Sequence, residues 1–153
     1  MPNIRRPAVA GTWYPGSATA LKRAVEIHLA RAETDAVNDI EELVALVAPH
    51  AGLMYSGPVA AHAYRLLRDH PYDVIVLVGP SHFVSFEGIS VHRAGGFQTP
   101  LGVAEIDEPC ATAIMEATAL VGDYPVAHTR EHSLEMQLPF IQFLAPSTKI
   151  VPL

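Results

Sequence analysis

Two nearly unbroken runs of apolar residues dominate the hydrophobic pattern of this chain. Residues 43–48 read LVALVA, and residues 74–78 read VIVLV. Continuous apolar runs of this length are typical of strands that are buried on both faces of a parallel sheet. A helix predicted to open at Ser56 and Gly57, with Pro58 in its first turn, joins the two runs. The pattern therefore predicts a strand–helix–strand unit with a right-handed crossover.

Further elements are predicted on both sides of this unit. Ser17 is a suitable N-cap for a helix that runs to about Ala32, with Leu21, Val25, Leu29 and Ala32 on one stripe. The acidic and polar residues 33–42 are predicted to form a surface connection. The other predicted elements are a strand at 88–91, a helix from about 108 to 117 capped by Asp107, a helix over 130–144 interrupted at Pro139, and a strand at 149–153. Alternation of strands and helices in this order predicts an α/β fold.

Composition narrows the class of protein. The chain has 153 residues, of which half are apolar and 17% are charged, as expected for one folded domain. Ten Lys and Arg residues without a dense cluster, and a net charge of −6, argue against a nucleic-acid partner. No apolar run reaches the ~18 residues of a membrane span, and the N-terminus lacks the apolar stretch of a signal peptide. A single cysteine excludes an internal disulfide and favours the cytoplasm.

Candidate chemistry lies directly after the two apolar runs. His50 follows the first run through Pro49, and His82 follows the second through a short Gly/Pro turn. Ligands of open parallel sheets bind beyond the carboxyl ends of the strands, and neighbouring strands lie ~4.8 Å apart. Two imidazoles rising from adjacent strand ends can reach one metal ion through bonds of roughly 2.0–2.1 Å. The alternative is that each histidine only hydrogen-bonds a loop carbonyl.

Five motifs in order give the chain a specific resemblance. RRPAVAGTWYP, APHAGLMYSG, LVGPSH, TPLG and EHSLEMQLPF extend over residues 5–140, and the chain resembles the Memo family, whose bacterial and archaeal members are often called AmmeMemoRadiSam system protein B. The resemblance implies a fold related to class III extradiol dioxygenases, a three-layer α/β/α sandwich with a mainly parallel central sheet. It also implies that residues 1–153 form a single Memo-like domain that lacks part of its C-terminal side.

The same resemblance implies a mononuclear metal pocket. His50 and His82 match its two histidine ligands, with iron or copper as the expected ion and zinc as a further candidate. The third ligand, a cysteine in the family, is expected outside this chain, because Cys110 does not match it and is predicted to be a small packed side chain. The predicted pocket-lining residues are Trp13, Tyr55, Ser81, Glu131 and His132.

Alternatives stay open for several of these side chains. Trp13 and Tyr55 are also compatible with ordinary packing. Ser133 is a candidate cap for the helix that follows, with Glu135 favoured in its first turn by the helix dipole and His132 at the helix entry behind the ligands. His128 and His132, four residues apart, could instead bind a metal together on one helix face.

The function expected from the resemblance is a metal-dependent, dioxygenase-like oxidoreductase, with its catalytic residues unassigned. The alternative is a non-catalytic protein that binds a metal or a peptide as an adaptor, or that acts beside a radical-SAM partner protein. The ligand is expected to be a small molecule or a peptide, and a homo-oligomer is compatible with the sequence.

Overall fold

The computed structural model describes residues 3–32, 40 and 42–153. The predicted polar connection at 33–42 falls mostly on residues outside the described ones. The α-helices are α1 (Ala18–Arg31), α2 (Leu53–Tyr64), α3 (Glu108–Ala117), α4 (Pro125–Thr129) and α5 (Leu138–Leu144). Short 3₁₀ helices cover Arg65–Arg68 and Glu135–Gln137. Within the described part of the chain, every helix is too short or too polar to cross a membrane.

Parallel pairing predominates among the strands. The strands are β1 (Ile4–Arg5), β2 (Val74–Leu77), β3 (Ile89–Val91), β4 (Gly96–Thr99), β5 (Gly102–Glu105), β6 (Val121–Asp123) and β7 (Lys149–Pro152). β2 pairs with β7, β3 with β6 and β1 with β4, all in parallel, whereas β4 and β5 form an antiparallel hairpin. A parallel bridge between Ile106 and Ile150 joins the end of the hairpin to β7. The predicted α/β class with mainly parallel pairing is confirmed.

Helix α1 forms as the sequence predicts. The Ser17 hydroxyl accepts a hydrogen bond from the backbone N–H of Ala20 at 3.4 Å, as an N-cap should. Leu21, Val25 and Leu29 are buried on one stripe, which packs against α2 and α5. The apolar stripe therefore determines the face by which α1 joins the core.

Three other predicted elements are confirmed close to their expected positions. β3 and β7 lie within the predicted strands at 88–91 and 149–153. Asp107 caps α3 by accepting the N–H of Cys110 at 2.9 Å, and α3 covers the predicted range. Ile150 and Val151 of β7 are fully buried, which places this strand in the centre of the core.

The predicted strand at 43–48 is wrong. These residues form no strand, and within the described residues their backbone has no strand partner. Val44 and Val47 are 85% and 97% exposed. An apolar run alone therefore does not determine whether a segment pairs as a strand or is buried.

Helix α2 begins earlier than predicted. Gly52, and not Ser56, precedes its first residue, and the Leu53 N–H donates to the Trp13 carbonyl at 2.8 Å. Pro58 lies inside the helix and not in its first turn. The extra turn is stabilised from outside the helix by the N-terminal loop, which sequence periodicity does not register.

The predicted helix over 130–144 is also divided differently. Residues 130–134 form an irregular connection before the 3₁₀ turn at Glu135–Gln137, and α5 starts at Leu138 with Pro139 in its first turn. Ser133 is not a helix cap, since its hydroxyl donates to the Pro80 carbonyl at 2.9 Å. Pro139 therefore lies in the first turn of a helix, where a backbone N–H has no partner within the helix and its absence costs little.

A buried histidine pair lies between β3 and α4. The rings of His92 and His128 are 5.6 Å apart, and both residues are 4% exposed. His128 Nε2 lies 3.1 Å from both the hydroxyl and the carbonyl oxygen of Ser90. Burial, then the neighbouring His92, lowers the pKa of His128 from 6.5 to about 4.

Acid is expected to destabilise the fold through His128. The His128 ring takes up a proton near pH 6.5 in the unfolded chain and only near pH 4 in the folded chain. The stability that comes from keeping His128 neutral is therefore fully present above pH 6.5 and is lost as the pH falls towards 4. The loss is expected to reach roughly 3 kcal/mol of unfolding free energy. Urea unfolding at a series of pH values measures it, and His128→Gln should flatten the curve in this window. An equally steep curve for that variant would assign the proton uptake to another group.

Candidate metal centre

His50 and His82 approach each other from two neighbouring loops. His50 lies in the loop before α2 and His82 in the loop after β2, and their ring centroids are 5.3 Å apart. The sequence placed them on neighbouring strands, whereas the structure brings the two loops together without hydrogen bonds between residues 43–48 and β2. The rings therefore converge even though the predicted strand pairing is wrong.

His132 is the third histidine of this cluster. Its ring stacks on His82 with centroids 4.7 Å apart and 19° between the planes, and it lies 6.0 Å from His50. One nitrogen of each ring lies within 4.8 Å of the others. These three residues, termed the histidine cluster, form a candidate three-histidine site.

The spacing of the nitrogens is close to what a metal ion needs. Bonds of about 2.0–2.1 Å allow two ligand nitrogens to be at most ~4.2 Å apart, so the rings would converge by roughly 1 Å on binding. The side chain of His82 is 39% exposed and that of His132 is 10% exposed. The ring of His82 is therefore held by its hydrogen bond to Glu131 and not by burial.

Glu131 anchors two of the three histidines. Its carboxylate accepts the His82 N–H at 2.5 Å, the His82 ring Nδ1 at 2.9 Å, the His132 N–H at 2.8 Å and the Ser133 N–H at 2.9 Å. Burial raises the pKa of Glu131, but these four donors outweigh it and lower the pKa to about 2. The carboxylate is therefore ionised at neutral pH.

The ionised carboxylate sets the tautomer of His82. Because Glu131 can only accept, Nδ1 of His82 carries a proton, which leaves Nε2 as the nitrogen that can bind a metal. Metal-binding histidines commonly donate their second ring nitrogen to a carboxylate in this way. His82 is thus oriented as a metal ligand would be.

His132 is held in a partly aromatic environment. Trp13 lies 4.3 Å from its ring and Phe83 lies 5.9 Å from it, and the Arg130 guanidinium covers the Phe83 ring at 4.9 Å. Burial lowers the pKa of His132; Glu131 opposes this shift, and His82 adds to it. A lowered pKa favours the neutral imidazole, which is the form that binds metals.

Arg5 and Glu135 support the loop that carries this site. Arg5 donates to the carbonyls of His128 and Glu131 and pairs with Glu135, which is fully buried. Sequence reasoning treated Glu135 only as a charge favoured by a helix N-terminus. The available signal was its position directly between Leu134 and Met136, since a charge that a fold buries among apolar residues is normally paired.

The end of β2 approaches the same loop closely. A Cβ on Gly79 would lie 2.7 Å from Leu134 Cδ2 and 2.9 Å from the Ser133 hydroxyl. Glycine at this position therefore lets the His82 loop pack directly on the connection that carries His132.

The remaining predicted site residues differ in whether they contact the histidine cluster. Trp13 contacts His132 directly, whereas Tyr55 is 76% exposed and Ser81 closes a turn by donating to the Val84 carbonyl at 2.7 Å. Their pocket roles stay predictions. Cys110 is a half-buried residue of α3, packed against the core, and does not belong to the histidine cluster.

Comparison with known proteins places the chain in a family. A family model described as Memo-like protein matches residues 5–153. A MEMO1 family protein of Methanothermobacter thermautotrophicus is 41% identical over 154 residues, which cover 97% of this chain and 56% of that protein. MEMO1 family proteins of Caldivirga maquilingensis and Methanopyrus kandleri are 40% and 38% identical over 155 residues. The chain spans just over half the length of these relatives.

Proposed function

The chain belongs to the Memo-like protein family, and on that premise we propose that it binds one transition-metal ion through His50, His82 and His132. The observation that carries this proposal is the approach of three ring nitrogens to within 4.8 Å of one another. Three imidazoles form a donor set that suits zinc, copper, iron and nickel. The residues present therefore fit a metal ion.

We propose iron or copper as the ion, with zinc as the competitor to exclude. This choice follows the resemblance to the extradiol dioxygenases, because imidazole ligands alone accept all three metals. A redox metal would supply electron-transfer chemistry with O₂ when bound. The chain's own residues would hold and orient the ion, with Glu131 fixing His82 and with Trp13 and Phe83 bordering His132. A cytoplasmic location belongs to the same proposal.

Metal analysis after anaerobic purification tests the site. We expect one equivalent of metal in the wild-type chain and loss of stoichiometric binding in His50→Ala, His82→Ala and His132→Ala, since each removes one of three nitrogens. His70→Ala, a change in a turn outside the cluster, is the matched control and should keep the metal. Retention of one equivalent in a variant lacking all three histidines would reject the site.

Catalysis by the bound metal is a separate proposal and needs its own test. Consumption of O₂ by the metal-loaded chain in the presence of catechols would support an oxidoreductase. Full metal occupancy without O₂ uptake would favour the second candidate, a non-catalytic metal- or peptide-binding protein. One observation favours this candidate: Trp13 and Phe83 are 39% and 50% exposed beside the cluster, where a peptide side chain could contact them.

A further inference from the structure

The Glu131 carboxylate holds only two members of the histidine cluster. It accepts hydrogen bonds from His82 and from the backbone of His132. Within the described residues, no bond from this carboxylate reaches His50, whose ring contacts His82 and His132 but makes no hydrogen bond. The position of His50 in the cluster therefore depends on what holds its backbone.

A buried glutamine connects the segment that carries His132 to the loop that carries His50. Gln137 is the last residue of the second 3₁₀ turn and is 9% exposed. Its Nε2 amide donates to the Ser133 carbonyl at 3.3 Å and to the Pro49 carbonyl at 3.4 Å. A side-chain amide has two N–H groups, so one is available for each carbonyl. Gln137 therefore bridges the sequence neighbours of two histidines.

The bond to Pro49 acts on His50 through a single peptide unit. Because a peptide bond is planar, the Pro49 carbonyl oxygen and the His50 Cα lie in one plane. A donor that restrains this oxygen therefore restrains the point from which the His50 side chain leaves the backbone. Ser133 makes a similar link to the other loop, since its hydroxyl donates to the Pro80 carbonyl at 2.9 Å, just before His82. One segment of the chain thus contacts both loops through proline carbonyls.

Tyr64 and the two carbonyls orient the Gln137 amide. The Tyr64 hydroxyl donates to Gln137 Oε1 at 2.7 Å, and its ring stacks on Phe140 with centroids 5.1 Å apart and 4° between the planes. Burial raises the pKa of Tyr64, so this hydroxyl keeps its proton and stays a donor. Because carbonyls only accept, the amide nitrogen faces Pro49 and Ser133, and the amide oxygen faces Tyr64. The amide therefore has one orientation, which directs a donor at Pro49.

We propose that Gln137 is a positioning residue that holds His50 beside the other two histidines through the Pro49 carbonyl. Its consequence for a bound ion rests on the proposed metal site, whereas its effect on geometry is testable in the metal-free chain. Glu131 then fixes the pair of His82 and His132, and Gln137 fixes the third ring against that pair. The alternative is that Gln137 only satisfies buried polar groups of the core. The two roles differ in which ring moves when the amide is removed.

Gln137→Met is the variant that tests this role, because methionine is also unbranched and flexible but has no N–H donor. In NMR spectra of the metal-free chain, we expect loss of the NOEs between the rings of His50 and His82. The NOEs between His82 and His132 should persist, since Glu131 still holds that pair. Retention of the His50–His82 NOEs, or loss of both sets together, would overturn the proposal.

Two further variants separate positioning from a general loss of stability. Tyr64→Phe removes a buried hydroxyl but leaves the bond between Gln137 and Pro49, so the His50–His82 NOEs should remain. Their loss in this variant would show that they follow core stability and would contradict the proposal. The double variant Tyr64→Phe with Gln137→Met replaces both partners of the buried bond by apolar groups, a change that can be nearly neutral for stability. It should fold even if Gln137→Met does not, and it should lose the His50–His82 NOEs.

Zn²⁺ binding tests the consequence for the metal site. We expect Gln137→Met to weaken Zn²⁺ binding about tenfold, as is typical for partners that orient metal-binding histidines. In the His50→Ala background, where two histidines remain and binding is weaker, the same change should alter Kd by less than about threefold. An equal loss in both backgrounds would assign Gln137 to the fold and overturn the proposal. If the wild-type chain binds no Zn²⁺, the metal proposal fails, and the NOE comparison alone decides whether Gln137 positions His50.

Discussion

Glu135→Ala is expected to lower the free energy of unfolding by about 3–5 kcal/mol, because it leaves the buried Arg5 guanidinium without its partner. Glu135 is fully buried, and Arg5 is 6% exposed. Since small domains are stable by only about 5–15 kcal/mol, this loss would remove a large part of the stability of the fold.

The arrangement of donors explains why the loss is large. The Glu135 carboxylate accepts the Ala8 N–H at 2.8 Å, the Val9 N–H at 3.1 Å and the Tyr14 hydroxyl at 2.6 Å, in addition to Arg5. Burial, then the bond to Glu135, raises the pKa of Tyr14, so this hydroxyl stays a donor. Alanine would remove the acceptor of all four donors, and the main cost comes from the two buried ones, Arg5 and Tyr14, at about 1–3 kcal/mol each, because the Ala8 and Val9 N–H groups are only partly buried.

Urea unfolding monitored by Trp13 fluorescence measures this prediction. Trp13 is the single tryptophan and lies in the N-terminal loop that Glu135 ties to the body. Glu135→Gln keeps the volume and one acceptor and should lose less than Glu135→Ala. Glu116→Ala, an exposed change in α3, should stay within ~0.5 kcal/mol. An unchanged midpoint for Glu135→Ala would show that the N-terminal loop does not depend on this carboxylate.

The sequence predicts the elements whose signals are local. The stripe and Ser17 cap of α1, the Asp107 cap of α3 and the apolar strand β2 each depend on residues within one element, and each is confirmed. The segment 43–48 has an equally clear apolar signal but no strand partner among the described residues. Pairing depends on what lies beside a strand, and periodicity carries no information about that neighbour.

The candidate site shows the same division between local and distant information. His50 and His82 were found because each follows an apolar run, a pattern visible along the chain. His132 was assigned a place behind the ligands because a helix was expected to start beside it. The irregular connection at 130–134 instead turns its ring onto His82, and that geometry depends on Arg5, more than 120 residues away. Contacts of such separation leave no signature in spacing.

Glu131→Ala is expected to weaken metal binding by about 10–100-fold, since partners of metal-binding histidines typically contribute this much affinity. The substitution removes the acceptor that holds Nδ1 of His82 and the backbone of His132. Competition with a chromophoric chelator, using Zn²⁺ as the probe ion, measures the change in Kd.

Two variants separate the effect of Glu131 on the metal from its effect on the fold. Glu131→Gln keeps one acceptor oxygen but places an amide donor where the second oxygen accepts an N–H, so its loss of affinity should fall between wild type and alanine. Glu87→Ala, an exposed change in the same loop as His82, should leave Kd unchanged. If the alanine variant melts lower but binds Zn²⁺ with wild-type affinity, Glu131 serves the fold alone. If the affinity instead falls in the order wild type, Glu131→Gln, Glu131→Ala, the carboxylate orients the metal-binding histidines. A loss of stability alone would not produce this order, because the binding constant of the folded fraction would not depend on the number of acceptor oxygens.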